Sequence, residues 1–148
     1  MAQGSPDSSP AAELGRYRAW FYAAAAYNLL WGSAVVLFPA QVFSFLGLPP
    51  PTPAPIWQVV GMLVAVYAPA YWWVARDPWR HCHFIVIGLL GKVLGPLGFL
   101  WSAWHGKLPW SFGWINLTND LIWWLPFALF LREAATHSGG WTALLRGE

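Results

Sequence analysis

Four blocks of continuously apolar sequence, at about residues 19–38, 56–75, 83–104 and 113–131, dominate this chain. Each is close to the about 20 residues that a helix rising ~1.5 Å per residue needs to cross a hydrocarbon core of about 30 Å. Pro39 stops the first block, Pro55 and Arg76-Asp77-Pro78 bracket the second, and Arg132-Glu133 close the fourth. The blocks lack the two-residue alternation of a membrane β-barrel strand. The pattern therefore predicts an all-α integral membrane four-helix bundle.

The stretches between and around the blocks are of three kinds. Residues 1–18 open with a segment rich in Ser, Pro, Ala and Gly and without apolar periodicity, and are read as a disordered leader. The apolar run that follows is too long for a signal-peptide core and has no small-residue cleavage site, so it reads as a retained first span. In the connector 39–55, Val42, Phe43, Phe45 and Leu46 suggest a short interfacial helix opened by Pro39 and stopped by Gly47, with a plain turn as the alternative. PPPTPAP then favours a stiff polyproline segment. In the tail 132–148, Trp141, Leu144 and Leu145 share the i, i+3, i+4 spacing of one interfacial helical turn.

Charge sharpens this picture. Only 9% of the 148 residues are Asp, Glu, Lys or Arg, and none occurs in the 57 positions between Arg18 and Arg76. A soluble domain carries about a quarter charged residues, and so short a chain has too little interior to hide this much apolar surface. Soluble enzyme, nucleic-acid binder and disulfide scaffold are excluded, the last also because Cys82 is the lone cysteine. Net charge is +2 and argues for no polyanionic partner. With four spans, Arg16, Arg18, Arg76, Arg80, Arg132 and Arg146 fall on one side and Lys107 on the other. Arginine and lysine concentrate on the cytoplasmic side, so both termini are expected there.

Ionisable residues inside spans are the natural functional candidates. Lys92 lies about 13 Å from the cytoplasmic end of the third span, too deep for an unpaired ammonium. Gly88, Gly91, Gly95 and Gly98 thin the helix around it, and Gly91-x-x-x-Gly95 has the spacing for close helix approach. In the fourth span, Asn116, Asn119, Asp120 and Trp123 form one stripe at i, i+3, i+4 and i+7. Consecutive spans are antiparallel neighbours, so a direct or water-bridged Lys92–Asp120 pair is within reach. Asn28 and Tyr67, from the first two spans, arrive at similar depth, with Tyr27 and Tyr71 nearby. These residues form either a ligand or proton site in the bundle core or a set of hydrogen bonds that fixes packing.

Other constellations carry less. His81-Cys82-His83 gathers three ligand types at the cytoplasmic interface but lacks the further spaced ligands of a metal site, so no metal is assigned. Cys82, read as exposed, is a candidate for lipidation or oxidation. His105 has no evident partner. No phosphate loop, nucleophile elbow or H-E-x-x-H occurs, so no catalytic residue and no enzymatic activity is assigned.

Several short motifs resemble the DoxX-like group of small bacterial membrane proteins. They are Leu29-Leu30-Trp31-Gly32, Phe38-Pro39, Phe45-Leu46-Gly47-Leu48-Pro49, Gly61 in a tyrosine-bearing second span, and Gly88-Leu89-Leu90-Gly91-Lys92. The resemblance implies a four-helix bundle in a bacterial inner membrane and, for some members, association with quinone-linked or thiol redox complexes. It carries over no catalytic residue. Three functions follow as expectations: binding of a lipophilic or quinone-like molecule, or an accessory role in a redox complex; transport or proton conduction through Lys92 and Asp120; or a scaffold dimerising through Gly91 and Gly95. The expected partners are the lipid bilayer and a second copy or a larger membrane complex.

Overall fold

The computed structural model describes residues 9–146, and these are largely helical with no strand among them. Helix α1 (Pro10–Leu14) passes through the 3-10 turn Gly15–Tyr17 into α2 (Arg18–Leu37). The short α3 (Pro39–Phe45) is followed by the long α4 (Ala54–Arg76) and α5 (His83–Trp104). The last apolar block is helical from Gly113 to His137, but in three pieces: α6 (Gly113–Asn116), a π-helical turn (Leu117–Leu121) and α7 (Ile122–His137). Helix α8 (Trp141–Arg146) follows.

Three of these helical stretches, Pro10–Leu37, Ala54–Arg76 and His83–Trp104, are long and apolar enough to cross a membrane. At most a third of their most apolar windows is buried within the chain. Leu30, Val66, Trp101 and Trp104 are among the many large apolar side chains that face outward. Water would penalise such a surface heavily, whereas lipid solvates it.

Helices α2 and α4 pack along their lengths, and small residues set how closely. A Cβ built on Gly32 would lie 2.6 Å from the Gly61 carbonyl oxygen and 2.8 Å from the Ala65 nitrogen. One built on Gly61 would meet the Gly32 carbonyl oxygen at 2.9 Å. Backbone therefore touches backbone here, the contact that lipid-embedded helices use in place of a hydrophobic driving force. Asn28 donates to the Val64 carbonyl (3.3 Å) and Gln58 to that of Val36 (2.8 Å), adding polar ties along the same seam. The expectation that Gly91 and Gly95 make the close approach is corrected. Gly91 has no atom nearer than 4.0 Å to its built Cβ, and Gly95 faces the Asp120 carboxylate rather than a helix backbone. Spacing marks a thin helix face without saying what lies opposite it.

At the Arg76 end of α4, a core forms from α1, α2, α4, α5, α7 and α8. Phe21, Phe127 and Phe130 are fully buried at its centre, with the Phe21 and Phe130 rings edge to face at 4.7 Å. Leu14 and Leu144 belong to this core too. The expected leader therefore needs correction over residues 10–17, which are helical; residues 1–8 lie outside the described residues. Leu14, Tyr17, Phe21, Ala24, Asn28, Gly32 and Val35 continue one buried stripe with the helical period, and only one apolar residue per turn marks its start. In the tail, Gly139 and Gly140 have positive φ and turn the chain into α8. Leu144 packs inward there, while Trp141 and Leu145 stay exposed.

A second, smaller core closes the opposite end. Helix α3 is the short helix suggested by PAQVFSF, and Gly47 at φ +67° ends it. This left-handed residue lets Leu48 N–H reach the Phe43 carbonyl at 2.9 Å, the usual helix-stop arrangement. Phe43, Trp57 and Phe112 then meet edge to face, the Phe43–Trp57 ring centroids lying 5.0 Å apart. Pro53, at φ −79° and ψ 138°, is extended just before α4, and its peptide bond with Thr52 is cis.

The Gly32–Gly61 crossing gives a direct test. Gly32→Ala should destabilise the protein by about 1–3 kcal/mol through overpacking. Gly98→Ala, with nothing within 4 Å of the new methyl, should change stability by no more than about 0.5 kcal/mol. Thermal unfolding in detergent compares the two, and equal midpoints would remove the close crossing.

Candidate functional site

The site begins with two breaks in helical hydrogen bonding. Pro96 lies inside α5 and has no N–H, so the carbonyl four residues earlier, that of Lys92, loses its helical partner. The Trp124 indole N–H donates to that carbonyl at 3.0 Å. Across the interface, the π-helical turn widens the hydrogen-bonding ring and leaves carbonyls free for side chains. Trp123 Nε1 donates to the Thr118 carbonyl at 3.2 Å, and the Lys92 ammonium donates to the Asn119 carbonyl. Side chain and carbonyl of Lys92 are thus both held by the last apolar block.

The carboxylate sits in the same turn. Lys92 Nζ lies 3.9 Å from Asp120 Oδ1, and Asn119 Nδ2 donates to that oxygen at 3.1 Å. Both charged side chains are more than nine-tenths buried. The Trp123 ring lies 5.8 Å from the ammonium, close enough for its electron-rich face to help stabilise the cation. Asp120 packs over Gly95, where a Cβ would lie 3.2 Å from Oδ2. Gly95 thus makes room for the acid. Tyr27 donates to Thr118 Oγ1 at 3.1 Å and joins α2 to the π turn.

A cavity of about 310 Å³ adjoins this pair. Its polar lining is Lys92, Asp120, Asn119, Asn28, Tyr67 and Tyr71, and Val60, Leu63 and Val64 supply an apolar wall. Gly88 and Gly91 complete it. Gly88 is needed for the Tyr71 phenol, whose oxygen would lie 2.7 Å from a Cβ at that position. Leu63 and Gly91 are exposed on the rim, so the cavity opens sideways between α4 and α5. Asn28 and Asn119 each spend their amide N–H on a protein acceptor, and their side-chain oxygens are buried without a partner.

Five of the six residues singled out from sequence, Lys92, Asp120, Asn119, Asn28 and Tyr67, line this one cavity. The sixth, Asn116, is buried one residue before the π turn but is not part of the lining. Tyr71, placed near these residues from the sequence, also lines the cavity, against Gly88, whereas sequence reasoning missed Trp124 as the donor to the Lys92 carbonyl. The Lys92–Pro96 spacing of four was the available signal for a freed carbonyl. It also missed a group at the protein's Arg76 end, where Glu13, Glu133 and His137 converge.

The remaining candidates resolve into structural contacts. His83 Nε2 lies 2.7 Å from the Leu144 carbonyl and ties α5 to α8. His81 stacks on Phe84, and His105 Nδ1 meets the Trp101 carbonyl at 2.7 Å. Cys82 is 3% exposed, which corrects its reading as an accessible modification site. Burial also pushes its thiol pKa up, away from the reactive thiolate.

The geometry defines a helical protein with three helices able to cross a membrane and a buried, charge-paired cavity among them. Comparison of the chain with protein-family models, curated proteins and solved structures returned no match.

A double-mutant cycle tests the buried pair. Lys92→Met and Asp120→Leu each strand a buried charge and should each destabilise the protein by about 3 kcal/mol or more. The double variant should recover a substantial part of the loss. Unfolding curves in detergent measure all four proteins, and additive losses would show that the two charges do not support one another.

Proposed function

We propose that this protein is a four-span membrane protein whose cavity binds the polar head of a lipophilic molecule, a quinone-like ring being of suitable size. One observation carries the reading: a sideways-opening cavity of about 310 Å³ whose walls combine a buried Lys92–Asp120 pair with Tyr67, Tyr71, Asn28 and Asn119. Ligand pockets of about 300 Å³ and upward are mostly apolar with a few convergent polar groups, and this one has that make-up. Its opening between α4 and α5 suits a ligand that arrives through the bilayer. The apolar wall would take the ring or chain, and the ammonium and tyrosine hydroxyls would hydrogen-bond its oxygens.

The orientation belongs to the same proposal. Arg18 donates to the Arg76 carbonyl at 3.2 Å, and Arg16 pairs with Glu133 at 2.5 Å, so the basic ends of three helical segments share one end of the protein. That end is cytoplasmic by the positive-charge rule, with both termini inside. The DoxX-like motifs support a bacterial inner membrane and an accessory place in a redox complex. Proton conduction is the weaker reading. Between the Lys92–Asp120 pair and the arginine-rich end lie Phe21, Val74, Phe127 and Phe130, all fully buried and apolar. A proton path needs a polar chain there.

Gly91→Leu separates binding from stability. The new side chain enters the cavity from a position with nothing nearer than 4.0 Å to its Cβ, so the fold should persist. Native mass spectrometry of gently extracted wild type should show a bound lipophile, and the variant should lose at least about nine-tenths of it, as expected when an apolar group fills a ligand site. A wild type without a bound lipophile, or a variant that keeps it, would overturn the proposal. A cytoplasmic reporter fused after Leu131 should be active; a periplasmic position there would overturn the orientation.

A further inference from the structure

At the arginine-rich end, away from the cavity, three potential metal ligands meet. Glu133 and His137 are spaced i, i+4 on α7 and so project from one face, and Glu13 reaches them from α1. One donor atom from each lies within 4.8 Å of the others, the one place among the described residues where three His, Cys, Asp or Glu donors converge. We infer that Glu13, Glu133 and His137 bind a divalent transition-metal ion of the zinc class, which clasps α1 to the end of α7.

The donor chemistry fits. One imidazole nitrogen with two carboxylate oxygens is a zinc donor set that leaves a fourth position for water. Zinc bonds of about 2.0–2.2 Å in a tetrahedron hold the donors about 3.4 Å apart, so His137 Nε2 and Glu13 Oε2, now 3.0 Å apart, would part by a few tenths of an ångström, while the third donor, within 4.8 Å of them, would move in by no more than about 1.4 Å. The His137 ring nitrogen Nε2 is buried and makes no hydrogen bond, although Glu13 Oε2 lies 3.0 Å away. Its direction does not serve that oxygen as a hydrogen bond would, and an ion between the two side chains would use both. Glu133 is held for the purpose. Arg16 and Tyr17 bond its Oε2 at 2.5 and 2.9 Å, which orients the carboxylate and leaves Oε1 for a metal. Such outer contacts are what keep metal-bound carboxylates in position. A recess of about 290 Å³, lined also by Arg132 and Thr136, gives the water room.

The consequence is mechanical. Helix α1 has only five residues, too few to be stable alone, and besides the burial of Leu14 this clasp would fix it to the bundle.

The full chain in detergent, stripped of metal by a chelator, is titrated with zinc against a fluorescent zinc indicator. One zinc per chain should bind, and zinc should raise the thermal midpoint, since it binds the folded state. His137→Ala, Glu133→Gln and Glu13→Gln should each weaken binding by at least about 10–100-fold. His83→Ala, whose ring is engaged with the Leu144 carbonyl, should bind as wild type does. Glu13→Gln lies on the short outer helix and keeps the test open if the α7 variants fail to fold. Absence of stoichiometric zinc, binding that survives in Glu13→Gln, or loss in His83→Ala would overturn the site and leave an ordinary ion-pair cluster.

Discussion

Lys92 is the constraint around which the bundle is organised. An ammonium at this depth is tolerated only with partners, since neither lipid nor an apolar core offers it hydrogen bonds. The chain supplies them by breaking its own regularity twice. Pro96 frees the Lys92 carbonyl for Trp124, and the π turn frees the Asn119 carbonyl for the ammonium itself. Each break would be costly alone, because an unpaired carbonyl in a membrane has no water to turn to. Facing each other, they fix the depth and rotation of α5 against the last apolar block. Asp120 is carried to the ammonium by the same turn.

That fixed interface explains why a cavity can exist beside it. Helices in lipid gain nothing from hiding apolar surface, so they close only where backbones interlock or polar groups demand a partner. Helices α2 and α4 interlock at Gly32 and Gly61. Helices α5 and α7 are joined by the Lys92 contacts. Between α4 and α5, side chains as large as Tyr67 and Tyr71 stand opposite Gly88 and Gly91, and the mismatch leaves space lined by hydroxyls and charges. A gap of this kind is a hydration cost if empty and a recognition surface if filled, which is what supports the proposed ligand-binding reading.

The two ends are closed differently. The aromatic core around Phe21, Phe127 and Phe130 seals the arginine-rich end and draws in Leu14 and Leu144 from segments outside the long helices. The smaller group of Phe43, Trp57 and Phe112 caps the other end through α3. The Glu13–Glu133–His137 group sits on the first of these cores, so a metal there would act on the same α1–α7 contact that Leu14 makes by burial.

What the sequence determined by itself was whatever depends on length and solvent. Spans near residues 19–38, 56–75 and 83–104 were legible because crossing hydrocarbon demands about 20 apolar residues whatever the neighbours do. Lys92, Asp120, Asn119, Asn28 and Tyr67 stood out for the same reason: lipid makes a polar residue conspicuous. Tertiary structure decided everything that depends on which faces meet. Gly91 and Gly95 share a packing spacing with countless helix pairs, yet the close crossing is at Gly32 and Gly61, and Gly91 faces open space. The π turn left no mark in hydropathy, because it changes hydrogen bonding rather than composition. Leu14 stood in the expected leader and Leu144 on an expected interfacial turn, and neither could be assigned to a core until the other four helices that build it, α2, α4, α5 and α7, were in place. Glu13 and His137 lie 124 positions apart in the chain, and only folding brings them to 3.0 Å. Spacing along one helix is local and readable, whereas the identity of the opposing surface is a property of the whole bundle.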